Sequence, residues 1–168
     1  MQFLYNFFIY GFIGWIIENL FCYYTNGHFQ KDGFLKGPFK PMYAIAMAWI
    51  LELYKFIPNS TFLLIISLII PTTVEGITGL LMRKYFNKDY WDYSKEKYNY
   101  KGIVCLRFSL AWVILCIIDV IVIQPGFIYP IYKLVEGILP IILTLFVVSL
   151  IIDTIVTLID FSKRQQIN

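Results

Sequence analysis

Residues 56–74 read FIPNSTFLLIISLIIPTTV, a run of 19 residues without a charged side chain between Lys55 and Glu75. A helix of roughly 20 residues, rising 1.5 Å per residue, crosses the hydrocarbon core of a bilayer. The run therefore predicts a membrane-spanning helix. The whole chain agrees, because 59% of its 168 residues are hydrophobic and 15% are charged, whereas about a quarter of the residues of soluble domains are charged. With three cysteines and many large apolar residues, disordered, collagenous and disulfide-stapled classes are excluded.

Four further hydrophobic segments reach spanning length if each is allowed one or two ionisable residues. We therefore predict an all-α, polytopic transmembrane bundle of about five helices, forming a single membrane domain over residues 1–168. The predicted helices cover about residues 3–24, 41–57, 61–85, 103–124 and 137–161. A count of four is the alternative, in which the short segment 41–57, which starts with a proline, is re-entrant.

The basic residues predict how the bundle is oriented, because lysine and arginine are retained on the cytoplasmic side. Twelve of the 14 basic residues lie in or beside the predicted loops 25–40 and 86–102, or in the carboxyl-terminal tail, and the other two are Lys55 and Lys133. These 12 are Lys31, Lys36, Lys40, Arg83, Lys84, Lys88, Lys95, Lys97, Lys101, Arg107, Lys163 and Arg164. We expect a multi-pass protein of the cell membrane with its amino terminus outside and its carboxyl terminus inside.

Ionisable residues inside the predicted helices are candidates for a functional site, because each costs a few kcal/mol at membrane depth. Glu18, Glu75 and Asp153 all lie roughly 21–24 Å along inward-running helices, and Arg107 lies at the same level. We expect these groups to share one pocket that opens near the cytoplasmic side. The predicted pocket residues are Trp15, Glu18, Thr72, Glu75, Thr78, Arg107 and Asp153. The alternative is that these polar and charged side chains only hold neighbouring helices together.

The two predicted cytoplasmic loops are rich in glycine, aromatic residues and lysine. Their candidate residues are Gly33, Gly37 and Pro38 in the first loop, and Trp91, Asp92, Tyr93, Asn99 and Gly102 in the second. We expect the second loop to be ordered and to cover the inner mouth of the bundle. An ordinary interfacial loop, with lysines near anionic headgroups, is the alternative.

Four motifs, in order over about residues 10–112, resemble the CmpB-like family of ABC-transporter permeases. They are Gly14-Trp15-x-x-Glu18; Gly33-Phe34-Leu35-x-Gly37-Pro38-x-x-Pro41-x-Tyr43; Thr73-x-Glu75-x-x-Thr78-Gly79; and Trp91-Asp92-Tyr93-Ser94 with Asn99-x-x-Gly102-x-x-Cys105-Leu106-x-Phe108-Ser109-x-x-Trp112. The chain departs from the family pattern at Ala44 and Ala46, which replace two glycines. The resemblance implies a membrane subunit that works with a separate ATPase, and it emphasises Glu18, Glu75 and the second-loop residues.

Three functions follow, and we rank a transporter permease subunit first. No GxxxxGK[ST] phosphate loop occurs in the chain, so we expect no cofactor here and ATP only through a partner ATPase. A chain of five helices is small for a whole transporter, so we also expect a homo-oligomer embedded in lipid.

A non-catalytic membrane scaffold ranks second. An inner-leaflet lipid-modifying enzyme with paired carboxylates ranks third, because His28 is the single histidine and no HExxH or GxSxG motif occurs, which argues against metal and Ser/His mechanisms. Nucleic acid is not an expected partner, since a net charge of +3 is explained by contact with the membrane surface.

Overall fold

The structure is a computed structural model that describes residues 1–29 and 33–167, with side chains up to residue 163. Within these ranges the chain forms five helices, which confirms the predicted all-α bundle. The helices are α1 (Gln2–Asn26), α2 (Pro41–Phe56), α3 (Ser60–Phe86), α4 (Leu106–Val135) and α5 (Leu139–Ile167). A two-stranded antiparallel ladder, β1 (Asn99–Tyr100) and β2 (Val104–Cys105), precedes α4. Lys31 and the side chain of Arg164 lie outside the described residues.

Four of the helices, α1, α3, α4 and α5, are long and apolar enough to cross a membrane. Helix α2, which corresponds to the predicted segment 41–57, has 16 residues and is therefore about 24 Å long. This is shorter than the hydrocarbon core of a bilayer, which is about 30 Å thick. Its Ala44, Ala46, Ala48 and Ile50 are at most 1% exposed, because small side chains let α1 and α3 approach closely. One face of α2 is therefore packed inside the bundle, whereas Trp49 and Ile45 on another face are 50% and 39% exposed.

Helix α2 begins inside the bundle, beside the middle of α1. The backbone N–H of Lys40 donates to the carbonyl of Gly11 at 2.9 Å. The Phe39 ring occupies the place of a side chain at Gly11, and the Tyr43 ring does the same at Gly14. The segment before α2 thus enters the bundle, which explains why α2 is short.

Helix α4 continues well beyond the predicted end at residue 124. Its middle, Asp119–Ile128, is a π-helix that contains Pro125. A proline lacks the N–H that an α-helix needs at that point, and the wider π turn accommodates it without ending the helix. The prediction of 103–124 was therefore wrong at both ends, since β2 occupies the residues just before Leu106.

Helices α1 to α4 pack side by side in chain order, and α1 meets α4 again near the amino end of α1. There the Tyr5 hydroxyl donates to the Ile128 carbonyl at 3.2 Å, and the Tyr10 hydroxyl donates to the Gln124 side-chain oxygen at 2.6 Å. Helix α5 packs on α1 through the Phe8 and Phe146 rings, 5.5 Å apart. Most of its remaining apolar surface is exposed, as expected of a helix that faces lipid.

The described parts of the two long loops and the carboxyl end of α5 lie at one end of the bundle, here called the basic end (residues 27–29, 33–40, 87–105 and 153–163). The Phe34 ring lies 5.3 Å from Phe86 and 6.2 Å from Phe161, and Lys36 forms an ion pair with Asp160. The loops that the sequence placed on one side are therefore neighbours in space.

Candidate functional site

A cavity of about 840 Å³ lies at the basic end, beneath the amino terminus of α2. Because α2 begins halfway along α1, its missing first turns leave space between the neighbouring helices. Segments of α1, α3, α4 and the loop before β1 surround this space. The polar and charged lining residues include Glu18, Thr25, Asn26, Lys40, Tyr43, Glu75, Thr78, Tyr90, Trp91, Asp92, Tyr93, Lys95, Glu96 and Trp112.

Glu18 and Lys40 form an ion pair on the wall of the cavity. Their side chains are 22% and 12% exposed, so the pair is largely removed from water. The position of Lys40 is fixed by its backbone bond to Gly11 and by Pro41 at the first turn of α2. The charge of Glu18 is thus neutralised inside the protein.

Glu75 is the second acid of the cavity, and its residue is only 2% exposed. One carboxyl oxygen, Oε1, accepts a hydrogen bond of 2.9 Å from the Tyr93 hydroxyl, and the Trp112 indole lies beside the same carboxyl group. The other oxygen, Oε2, has no hydrogen-bond partner among the described residues. Such an atom is costly to bury unless something binds it.

Aromatic rings form much of the wall around Glu75. The Tyr43 and Trp112 rings are 4.6 Å apart, and the Tyr93 ring stacks on Phe108 at the same centroid distance. Tyr43 lines the cavity together with Glu18 and Glu75. The wall around Glu75 is therefore largely aromatic.

The loop before β1 holds Tyr93 in place through a dense set of hydrogen bonds. The Tyr93 N–H donates to the Gly102 carbonyl at 2.8 Å, and the Asn99 side-chain oxygen accepts from the Gly102 N–H at 3.0 Å. Gly102 has a φ of 70° and is buried, a conformation that favours glycine. The second predicted loop is therefore ordered, and it presents the Tyr93 hydroxyl to the cavity.

Two groups of this loop have shifted pKa values. Hydrogen bonds from the backbone and hydroxyl of Ser94 hold the pKa of Asp92 below its usual range. Burial and the neighbouring Glu75 raise the pKa of the Tyr93 hydroxyl, which therefore remains a donor at physiological pH. Trp91 anchors the same loop by donating from Nε1 to the Ile103 carbonyl at 2.7 Å.

The structure brings several predicted residues together and leaves others apart. Those that line the cavity are Glu18, Glu75, Thr78, Trp91, Asp92 and Tyr93. The remaining second-loop candidates, Asn99 and Gly102, act on it only through the fold of the loop. In the first loop, the exposed Gly33 and Pro38 lie away from the cavity, and Gly37 lies against Asp153.

Arg107 does not share the cavity with the acids, which corrects the expectation of a common pocket. It lies in the first turn of α4, its side chain is 72% exposed, and its Nη1 bonds Glu96 at 3.0 Å. Because α4 begins only at Leu106, Arg107 reaches towards the loop rather than into the bundle. Lys40 supplies the cavity cation instead.

Three other predicted pocket residues lie outside the cavity. Asp153 accepts the backbone N–H groups of Lys36 and Gly37 at 3.1 and 2.9 Å and so anchors the first loop. Thr72 bonds the Ser109 hydroxyl between α3 and α4 at 2.9 Å, and Trp15 stacks on Phe12. These positions match the alternative of polar contacts that hold segments together.

Lys40, Tyr43 and Trp112 are among the cavity residues that were not predicted as site residues from the sequence. Lys40 precedes Pro41, and a proline at the first turn of a helix marks the residue before it as the helix cap. That signal places Lys40 at the start of α2, but nothing in the sequence shows that α2 starts deep in the bundle. Tyr43 and Trp112 lie within the family motifs without any assigned role.

A second buried polar cluster lies towards the other end of the bundle, around the π-helical part of α4. Asp119 is 7% exposed and Gln124 is 9% exposed, and Gln124 lies within hydrogen-bond reach of both Tyr10 and Asn6. This cluster is separate from the cavity lining. Among residues 1–29 and 33–167, no group of three or more His, Cys, Asp or Glu side chains could hold a metal ion.

Comparison with known proteins gives one match. The model of the family described as "Putative ABC-transporter type IV" (CmpB) matches residues 5–158. No curated protein and no solved structure matches the chain significantly. The family match runs from the first turn of α1 into α5 and includes the whole cavity lining. The chain therefore belongs to the CmpB family of ABC-transporter-related membrane proteins.

Proposed function

We propose that this chain is the permease subunit of a transporter and that the cavity beneath α2 is its substrate-binding site. The observation that carries the proposal is a buried carboxylate, Glu75, which lines a cavity of about 840 Å³ and whose Oε2 has no hydrogen-bond partner among the described residues. An ionisable residue at membrane depth is costly and normally serves a substrate or ion path. Cavities of this size suit small-molecule ligands.

The proposal places the basic end, and with it the cavity, on the cytoplasmic side. Basic residues are retained there during membrane insertion, and the loops that carry them converge around Phe34 and the end of α5. The amino terminus then lies outside. A substrate in the cavity is thus exchanged with the cytoplasm or the inner leaflet.

We further propose a separate ATPase subunit as partner. The chain belongs to an ABC-transporter-related family, and its sequence contains no GxxxxGK[ST] loop to cradle ATP phosphates. We also propose that at least two copies work together. The apolar sides of α5, which include Ile141 at 68% and Leu145 at 64% exposure, are available to lipid or to such a copy.

The geometry favours transport over the acid–base enzyme. A general acid and base must both be free to exchange protons with the substrate, whereas Glu18 is held by Lys40. A purely structural role for Glu75 is disfavoured as well, because a structural carboxylate is expected to have both oxygens satisfied.

The experiment is purification of the tagged chain in a mild detergent from its native host. The expected result is a co-eluting nucleotide-binding subunit whose ATPase activity depends on the chain. Glu75→Gln should change that activity, whereas Glu52→Gln should leave it unchanged. Glu52 is the matched control because it pairs with Lys55 at 2.8 Å, away from the cavity.

Absence of any ATPase subunit under conditions that preserve the detergent-solubilised bundle would contradict the proposal. So would an ATPase whose activity is the same with Glu75→Gln as with the control. Light scattering of the same sample gives the number of copies.

A further inference from the structure

The lining of the cavity includes four acids, Glu18, Glu75, Asp92 and Glu96, and two bases, Lys40 and Lys95. Glu96 forms an ion pair with Arg107, which is not among the lining residues. Glu18 is paired with Lys40, and among the described residues no lysine or arginine pairs with Glu75. The amino end of α2 contributes a partial positive charge of about one half, which is smaller than the full charge of an ionised carboxylate. When Glu75 is ionised, the formal charge of the lining is therefore negative, and Glu75 is its buried acid without a paired cation among the described residues.

The groups around Glu75 hold that charge in position. The Tyr93 hydroxyl donates to Oε1 at 2.9 Å, and the Trp112 indole lies beside the carboxyl group. Both contacts leave Oε2 unpartnered although the residue is 98% buried. A ligand with a positive charge is the natural partner of this atom, because pairing relieves the cost of a buried single charge.

The aromatic residues of the cavity wall indicate the chemical character of the rest of the ligand. The rings of Tyr43, Trp112, Tyr93 and Phe108 lie in two close pairs around the acid. Aromatic faces attract cations, and they attract poorly hydrated organic cations best when the site is dry. A small hydrated metal ion would find few oxygen ligands here, since hard cations require six or more.

We infer that the cavity binds a hydrophobic organic cation, such as a quaternary or aryl-substituted onium compound, with its charge against Glu75 and its apolar groups against the aromatic rings. This inference rests on the proposed function, since it names the substrate class of the proposed permease. The binding itself needs only the isolated chain and no ATPase.

The test uses two probes of the same shape and opposite charge, tetraphenylphosphonium and tetraphenylborate. Purified chain in a neutral detergent is titrated with each while tryptophan fluorescence is recorded, because Trp91 and Trp112 line the cavity. We expect saturable quenching by the cation and none by the anion. This comparison needs no mutation, so it holds even if a variant does not fold.

Three variants locate the site. Glu75→Gln should weaken cation binding by at least about tenfold, because a charged pair in a largely dry site is lost. Glu18→Gln removes one acid from the cavity lining, and it should weaken cation binding. Glu52→Gln, outside the cavity, should bind as the wild type does.

Equal binding of both probes, binding of the anion alone, or no saturable binding would overturn the inference. Cation binding that Glu75→Gln leaves unchanged in a folded protein would overturn it too. These results are separate from the ATPase co-purification: an ATPase partner without cation binding rejects the substrate class alone, and cation binding without an ATPase rejects the permease assignment alone.

Discussion

Removal of the Tyr93 hydroxyl tests whether the loop before β1 is coupled to the membrane-embedded acid. Tyr93→Phe keeps the stacked ring against Phe108 and deletes only the 2.9 Å hydrogen bond to Glu75. A hydrogen bond to a charged group contributes about 1.5–3 kcal/mol, and one to a neutral group about 1 kcal/mol. We therefore expect Tyr93→Phe to destabilise the protein by about 1–3 kcal/mol.

Thermal denaturation in detergent measures this effect, with about 2–4 °C expected per kcal/mol for a chain of this size. Tyr98→Phe is the matched control, since Tyr98 lies in the same loop and is 82% exposed. In a Glu75→Gln background the two tyrosine variants should differ less, because the hydrogen bond to a carboxylate is already lost. A melting temperature for Tyr93→Phe equal to that of Tyr98→Phe would refute the proposed coupling of loop and acid.

Three further outcomes are expected. Gly79→Ala should destabilise the bundle by about 1–3 kcal/mol, because a methyl group there would overlap Ile103. Gly76→Ala should be neutral or stabilising, because the nearest neighbour of its new methyl group is 3.6 Å away. Equal melting temperatures of the two variants would contradict this packing. Asp153→Ala should speed protease cleavage of the loop before α2, whose two backbone donors it releases; an unchanged cleavage rate would show that the anchor is dispensable. The lowered pKa of Asp92 predicts that its contribution to loop stability is complete above about pH 4 and is lost as the pH falls through the folded-state pKa. Asp92→Asn should remove this acid dependence, which the fluorescence of the loop tryptophan measures. An identical acid titration in both proteins would contradict this prediction.

The helices were predictable because lipid imposes a simple requirement on length and apolar composition. Residues 60–74 of the run lie within α3, whereas Phe56 ends α2 and residues 57–59 connect the two helices. The predicted starts and ends of α1 and α3 fall within two residues of the structure. Glu18 and Glu75 were predictable as cavity residues for the same reason, since the distance along a straight helix gives the depth of a residue.

The remaining features depend on tertiary contacts that no local pattern encodes. The depth at which α2 starts is set by Phe39 packing against Gly11, and this contact brings Lys40 rather than Arg107 to the acids. The extension of α4 through Pro125 depends on a π-helical turn, whereas a proline ordinarily predicts an end or a kink. Asp153 contacts the first loop and not the cavity, because the position of a residue along a helix does not give the face on which it lies.

Thr78 and Glu75 line the cavity that we propose a ligand enters. Thr72, about two turns away from Thr78 on α3, does not line it. The most direct measurement is the rate at which a cationic methanethiosulfonate reagent modifies Thr78→Cys and Thr72→Cys in a background without the native cysteines. Thr78 lines the cavity, and the Thr72 hydroxyl is bonded to Ser109 between helices. We expect rapid modification of Thr78→Cys, and we expect Glu75→Gln and tetraphenylphosphonium to slow it. Modification of Thr72→Cys should be slow. Equal rates at the two positions, unaffected by Glu75→Gln, would contradict the proposal.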